Sequence, residues 1–78
     1  MTEQEIIEKF EELGFECKQY KYYDLVDFFN DDEMSVIKID TKNKRYIKVD
    51  SAYYSNFKPI TLQEHQLLTE LFKCYKWI

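Results

Sequence analysis

The sequence predicts an α+β domain in which two helices pack on one face of a small antiparallel sheet of three to four strands, in the order α-β-β-(β)-β-α. Three observations predict it. A Thr-x-x-Glu capping box followed by apolar residues at helical spacing stands near each end of the chain. The stretch between them is rich in alternating β-branched and aromatic residues. The two cleanest alternating runs flank one short polar loop, as in a hairpin.

Seventy-eight residues leave room for one core, so residues 1–78 are read as a single domain. The chain is 45% hydrophobic and 18% aromatic, with one Gly and one Pro, which separates it from disordered compositions. Aromatic area is how so short a chain offsets its conformational entropy, and the margin is thin enough to make a homodimer an expectation.

In order along the chain, Thr2-Glu3-Gln4-Glu5 caps helix 1, expected over about residues 3–13, with Ile6, Ile7, Phe10 and Leu13 as its buried stripe. Gly14 supplies the left-handed residue that ends it, and Phe15 is placed to fold back on the last turn. Residues 15–23 carry four aromatics in loose alternation and read as a strand. Residues 24–30 admit a short helical turn capped by Asp24 or Asp27, or a strand through Leu25, Val26, Phe28 and Phe29; the strand is preferred. Ser35–Asp40 and Arg45–Asp50 read as a hairpin across Thr41-Lys42-Asn43-Lys44. Ile37 and Ile39 are expected to face one way opposite Ile47 and Val49, with Lys38 and Lys48 facing the other. Asp50–Lys58 is a loop, unusually aromatic through Tyr53, Tyr54 and Phe57, and Pro59 ends it. Thr61-Leu62-Gln63-Glu64 opens helix 2, expected from about residue 62 to the end, with Lys73 and Lys76 in its last turns.

These residues exclude several chemistries. Gly14 is the sole glycine and already ends a helix, so no glycine-rich phosphate cradle exists and no nucleotide or other cofactor is expected. There is no Cys-x-x-Cys pair, and Asn30-Asp31-Asp32-Glu33 lacks the glycine and distal glutamate of a calcium loop, so no metal site is expected. His65 is the only histidine and reads as a surface residue; a thiol-imidazole pair with Cys17 or Cys74 would need the fold to bring them together. No catalytic residue is therefore expected, and the protein is read as no enzyme. The two distant cysteines read as reduced packing residues, and with no apolar run of membrane-spanning length and no leader-like N-terminus the expected location is the cytoplasm.

Charge is distributed unevenly. Residues 1–33 contain eleven acids against three bases, a formal −8, whereas residues 34–78 contain eight bases against four acids, a formal +4. Asp24, Asp27, Asp31, Asp32 and Glu33 fall within ten residues without a base and beside Phe28 and Phe29. They form a candidate protein-binding patch, or equally a solvated loop whose phenylalanines go to the core. Tyr53, Tyr54 and Phe57 are secondary candidates. Lys42, Lys44, Arg45, Tyr46 and Lys48 suggest nucleic-acid contact, but a net charge of −4 and a single arginine argue against direct binding.

A Glu-rich first helix, the Ser35–Asp50 hairpin, the closing helix from Ile60-Thr-Leu-Gln-Glu64 to Trp77-Ile78, and a lysine-rich, arginine-poor composition together resemble the small acidic accessory proteins of phages and mobile elements of low-GC Gram-positive bacteria. That class includes anti-CRISPR and anti-restriction inhibitors. The resemblance implies binding rather than catalysis, in the host cytoplasm, with the acids between Asp24 and Glu33 mimicking phosphates toward a nucleic-acid-handling defence protein. The alternative expectation is a homo-oligomeric structural or regulatory protein assembled through a sheet edge or through the Tyr53-Tyr54-Phe57 loop.

Overall fold

A computed structural model describes residues 1–78 and has the elements α1 (Glu3–Glu12), β1 (Glu16–Tyr20), β2 (Leu25–Asn30), β3 (Ser35–Asp40), β4 (Arg45–Asp50) and α2 (Leu62–Cys74). The strands form one antiparallel meander in chain order, β1-β2-β3-β4. The α+β order anticipated from the sequence is the observed one, with four strands rather than three.

Each helix is closed at both ends by local chemistry. In the first box Thr2 Oγ1 accepts from the Glu5 amide at 3.2 Å and Glu5 accepts from the Thr2 amide at 2.9 Å. Thr61 and Glu64 repeat the arrangement at 3.2 and 3.3 Å. At the far end of α1, Gly14 adopts φ +97°, its amide donates to Glu11 O, and the Phe15 amide donates to Phe10 O. The Phe10 and Phe15 rings then meet edge to face at 5.6 Å. Helix 2 does not run to the chain end as expected. It stops at Cys74 with the same motif, in which Lys76 takes the left-handed φ of +61°, the Trp77 amide donates to Phe72 O, and Trp77 stacks on Phe72 at 4.8 Å. Burying the indole on Phe72 outweighs the modest cost of placing a lysine where glycine fits best.

The strand expected over residues 15–23 is shorter. Lys21–Tyr23 turn as a 3-10 segment and Asp24 sits at φ +53°, so β1 ends at Tyr20 and the chain re-enters the sheet as β2. Residues 25–30 are thus strand, and Asp24 belongs to the turn.

The β3–β4 hairpin requires a larger correction. Asp40 pairs with Arg45 across a four-residue loop, which sets odd-numbered residues of β3 opposite even-numbered residues of β4. Ile37 therefore faces Lys48 and Ile39 faces Tyr46, while Ile47 and Val49 share the opposite face with Lys38. Lys38 and Lys48 point to different sides, and it is Lys48 that points under the helices.

That inner face carries the core. Val26, Phe28, Ile37 and Ile39 from the sheet meet Ile6 and Phe10 of α1, Phe15, and Leu67, Leu68, Leu71 and Phe72 of α2. Phe10 stacks on Phe28 at 4.3 Å and Phe72 packs on Tyr46 at 5.0 Å, which sets α1 over the β1–β2 half and α2 over the β4 half. The outer face is not bare. Val36 and Val49 are buried, and the chain after β4 folds back beside it, with the Tyr54 ring 5.1 Å from the Lys38 ammonium.

The hairpin loop is organised by Asp40, which accepts from the amides of Lys42 and Asn43, from Asn43 Nδ2 at 2.9 Å and from Arg45 at 3.2 Å. These bonds, those from Asn43 above all, hold its carboxyl at about 2 against an ordinary 3.8. Because the folded value is depressed, the loop's contribution is complete above the unfolded value and is lost as pH falls through about 2. A carboxyl-carbon NMR titration should place Asp40 at about 2 and should move it towards 3.8 in Asn43→Ala. An unshifted Asp40 in that variant would mean the asparagine is not the cause.

Candidate functional site

The five acids singled out between residues 24 and 33 do not form one patch. Asp24 lies at the end of the sheet where the two hairpin loops meet, its carbonyl accepting from the Thr41 amide at 2.8 Å and hydroxyl at 2.9 Å. Asp31, Asp32 and Glu33 lie at the other end, the length of β2 away, about 17 Å at some 3.3 Å per residue. Asp27 is between them and is 3% exposed: it points from the outer sheet face into an ion pair with Lys38 at 3.1 Å, and its Oδ1 has no hydrogen-bond partner. It is a structural group and not part of a displayed surface.

Glu33 is also internally engaged. Its Oε2 accepts from Ser35 Oγ at 3.1 Å and from Lys48 Nζ at 3.3 Å, and its carbonyl accepts from Lys58 Nζ. Lys48 donates in turn to Glu64 Oε1 at 2.8 Å, with Lys48 and Glu64 both about 95% or more buried. The ammonium also lies 5.8 Å from the Phe15 ring centroid. The N-terminal box of α2 is thereby tied to β4 and to the β2–β3 turn. An open depression of about 430 Å³ lies over this network, lined by Glu33, Lys48, Lys58, Pro59 and Thr61, with every charged group in it already partnered within the fold.

The fold assembles a different acidic surface. Asn30 is 3% exposed and acts as a staple: its Nδ2 donates to Leu13 O at 3.4 Å and its Oδ1 accepts from the Glu33 amide at 3.1 Å. This holds the turn bearing exposed Asp31 and Asp32 against the C-terminal end of α1. At that end of α1 stand the exposed Glu11 and Glu12, with the exposed Glu8 one turn back on the same helix and Glu16 at the start of β1 just past the Gly14–Phe15 cap. The bases closest in the chain to these six carboxylates are Lys9 and Lys18, with Lys18 drawn over the Phe29 ring at 5.2 Å on the outer face, while Lys58, next to Asp32 in space, is spent on the Glu33 carbonyl. The helical members were legible in the sequence, since Ile6, Phe10 and Leu13 on the inner stripe force Glu8, Glu11 and Glu12 outward. Their meeting with Asp31 and Asp32 was not, because it depends on Asn30.

Tyr53, Tyr54 and Phe57 stay on the surface, 68, 55 and 75% exposed, on a loop whose start is pinned by Asp50 accepting from the amides of Ala52 and Tyr53. Those two bonds lower the Asp50 carboxyl below its ordinary value. Tyr54 is engaged with Lys38, whereas Phe57 is drawn alongside Val49 as an isolated bridge to β4.

The chemically reactive side chains are dispersed. His65 is exposed in the first turn of α2, and Cys74 lies at the end of that helix, about 13 Å along the axis. Cys17 is half-buried on β1 under α1; burial foremost pushes its thiol up, with Glu3 and Glu11 of α1 and Asp27 adding to the effect against a bond from Gln19. Burial likewise raises the Tyr75 hydroxyl. No three His, Cys, Asp or Glu side chains are placed to hold a metal ion, and no helix is long and apolar enough to cross a membrane. Comparison with protein-family models, curated proteins and solved structures finds no match to this chain.

Proposed function

We propose that this domain is a non-enzymatic protein-binding module that engages a basic partner through the surface formed by Glu8, Glu11, Glu12, Glu16, Asp31 and Asp32. The observation that carries the reading is the Asn30 staple, which spends a buried side chain on holding two aspartates beside an already acidic helix end, against like-charge repulsion. Exposed carboxylates set close together favour a partner that supplies lysine or arginine, attract it over distance, and weaken with salt. The resemblance to phage and mobile-element accessory proteins adds the class of partner: a basic, nucleic-acid-handling protein of host defence, whose groove the carboxylates occupy in place of phosphates.

The test takes the partner recovered on immobilised protein from a low-GC Gram-positive lysate and measures its affinity as a function of salt. Neutralising Glu11, Glu12, Asp31 and Asp32 to the corresponding amides should weaken binding about tenfold or more and flatten the salt dependence, at about 0.2–1 kcal/mol for each exposed charge. Unchanged affinity and slope in that variant would remove this surface as the binding site.

A further inference from the structure

The two edges of the sheet are treated differently. Beyond β4, the chain lays its own residues 56–58 alongside: the Asp50 amide donates to Asn56 O, the Lys58 amide donates to Lys48 O, both at 2.9 Å, and Val49 bridges Phe57. Beyond β1 no strand follows. An exposed, unpaired edge is a template for another strand unless it is covered, bulged, broken by proline or lined with charge. β1 is regularly paired with β2 throughout, without bulge or proline, and its two charged side chains, Glu16 and Lys18, both lie on the outer sheet face, away from α1.

Ladder parity identifies the groups on offer. The Thr41 amide donates to Asp24 O one step beyond the Leu25↔Asp40 pair, so Val26, Phe28 and Asn30 exchange their bonds with β3 and Leu25, Asp27 and Phe29 exchange theirs with β1. Their partners Glu16, Lys18 and Tyr20 bond inward, which leaves Cys17 and Gln19 directing N–H and C=O out of the sheet. Above this edge runs α1, with Glu3 and Glu11 near enough to act on the Cys17 thiol. At its Tyr20 end an open depression of about 270 Å³ lies over the β1–β2 end of the sheet, lined by Glu3, Gln19, Tyr20, Val26, Thr41 and Tyr75 among others.

We infer that the outer edge of β1 accepts an extended, lysine- or arginine-containing segment of a partner protein as an added strand, bonded to the Cys17 and Gln19 backbone, with basic side chains under Glu3 and Glu11. This rests on the acidic-surface reading and specifies how part of the partner is held: the ladder supplies sequence-independent affinity, and the alternate side chains facing α1 supply charge selectivity. A second copy of the chain is the wrong occupant. Pairing β1 with its twofold mate would set α1 against α1, with Glu3 and Glu11 of one facing those of the other.

The probe is a fluorescein-labelled peptide of alternating lysine and valine, seven residues long, read by anisotropy and by amide hydrogen exchange on the full chain. Its binding should slow exchange of the Cys17 and Gln19 amides about tenfold or more while leaving the inward-bonded Lys18 amide little changed. Gln19→Pro, which removes one outward donor and no charge, should weaken the peptide at least tenfold; Glu3→Gln with Glu11→Gln should weaken it severalfold and reduce its salt dependence. Circular dichroism confirms that each variant is folded, and the exchange result on the unaltered chain needs no variant. Peptide binding that leaves both outward amides unprotected overturns strand addition while leaving the acidic surface standing. No binding at millimolar peptide also overturns it, and the salt test with the captured partner then judges the surface separately. Concentration-dependent protection of the same amides without peptide, together with dimer in sedimentation, overturns it in favour of a second copy.

Discussion

Lys48→Met should cost about 3–5 kcal/mol, which for a chain of this length is a large part of the total stability of about 4–12 kcal/mol. Methionine keeps most of the volume of the lysine stem, so the loss is electrostatic. Lys48 is 5% exposed and bridges Glu64, 3% exposed, to Glu33. Taking away the ammonium leaves the Glu64 carboxylate buried with the Thr61 amide as its remaining partner. The urea midpoint should fall by about 2 M or more, on a slope near the low end for small domains. Lys48→Met combined with Glu64→Gln should recover most of the loss, because glutamine still completes the capping box and no buried charge is left alone. A single variant that costs under about 1 kcal/mol, or a double variant no more stable than the single, would show that the bridge is not what secures α2 to β4.

Phe10→Ala should cost a further large amount by a different mechanism, about 3–5 kcal/mol from lost transfer energy and the cavity left behind. Phe10 has no exposure, stacks on Phe28 at 4.3 Å and meets Phe15 edge to face at 5.6 Å. One ring thus joins the last turn of α1, the residue that closes its C-terminal motif and the centre of the sheet. The melting temperature should drop by at least about 12 °C. Phe10→Leu, which keeps the site apolar and nearly filled, should cost under half as much. A drop below about 5 °C for the alanine variant would mean that neighbouring groups collapse into the space, contrary to its central position. Both variants act on the fold and leave the acidic surface residues in place.

Much of this architecture was legible because it is local. Thr2 with Glu5, Thr61 with Glu64, and Gly14 with Phe15 close their rings within a few residues, so the chain carries the whole instruction. The hairpin limits were legible for the same reason. Its facing differs from the expected one although the loop length contains it: a four-residue loop closed by Asp40 and Arg45 sends Lys48 inward, against the usual preference of lysine for solvent. Lys76 at the end of α2 was illegible as a terminator, because a left-handed lysine is unfavourable until Trp77 finds Phe72.

By itself the sequence determined the order of elements, where α1 begins and ends, where α2 begins, and that the inner stripe of α1 throws glutamates outward. Those depend on backbone groups and side chains a few bonds apart. Only the tertiary structure decided which acids count as surface. Asp27 and Glu33 were drawn into pairs with Lys38 and Lys48, eleven and fifteen residues away, while Asn30 reached back seventeen residues to Leu13 and carried Asp31 and Asp32 to the end of α1. A carboxylate's role follows from which charges and which low-dielectric groups surround it, and in a meander those neighbours come from the adjacent strand and the covering helix rather than from the adjoining residues. The open edge of β1 is of the same kind: it exists because the strands add in chain order and the tail after β4 covers only the far side.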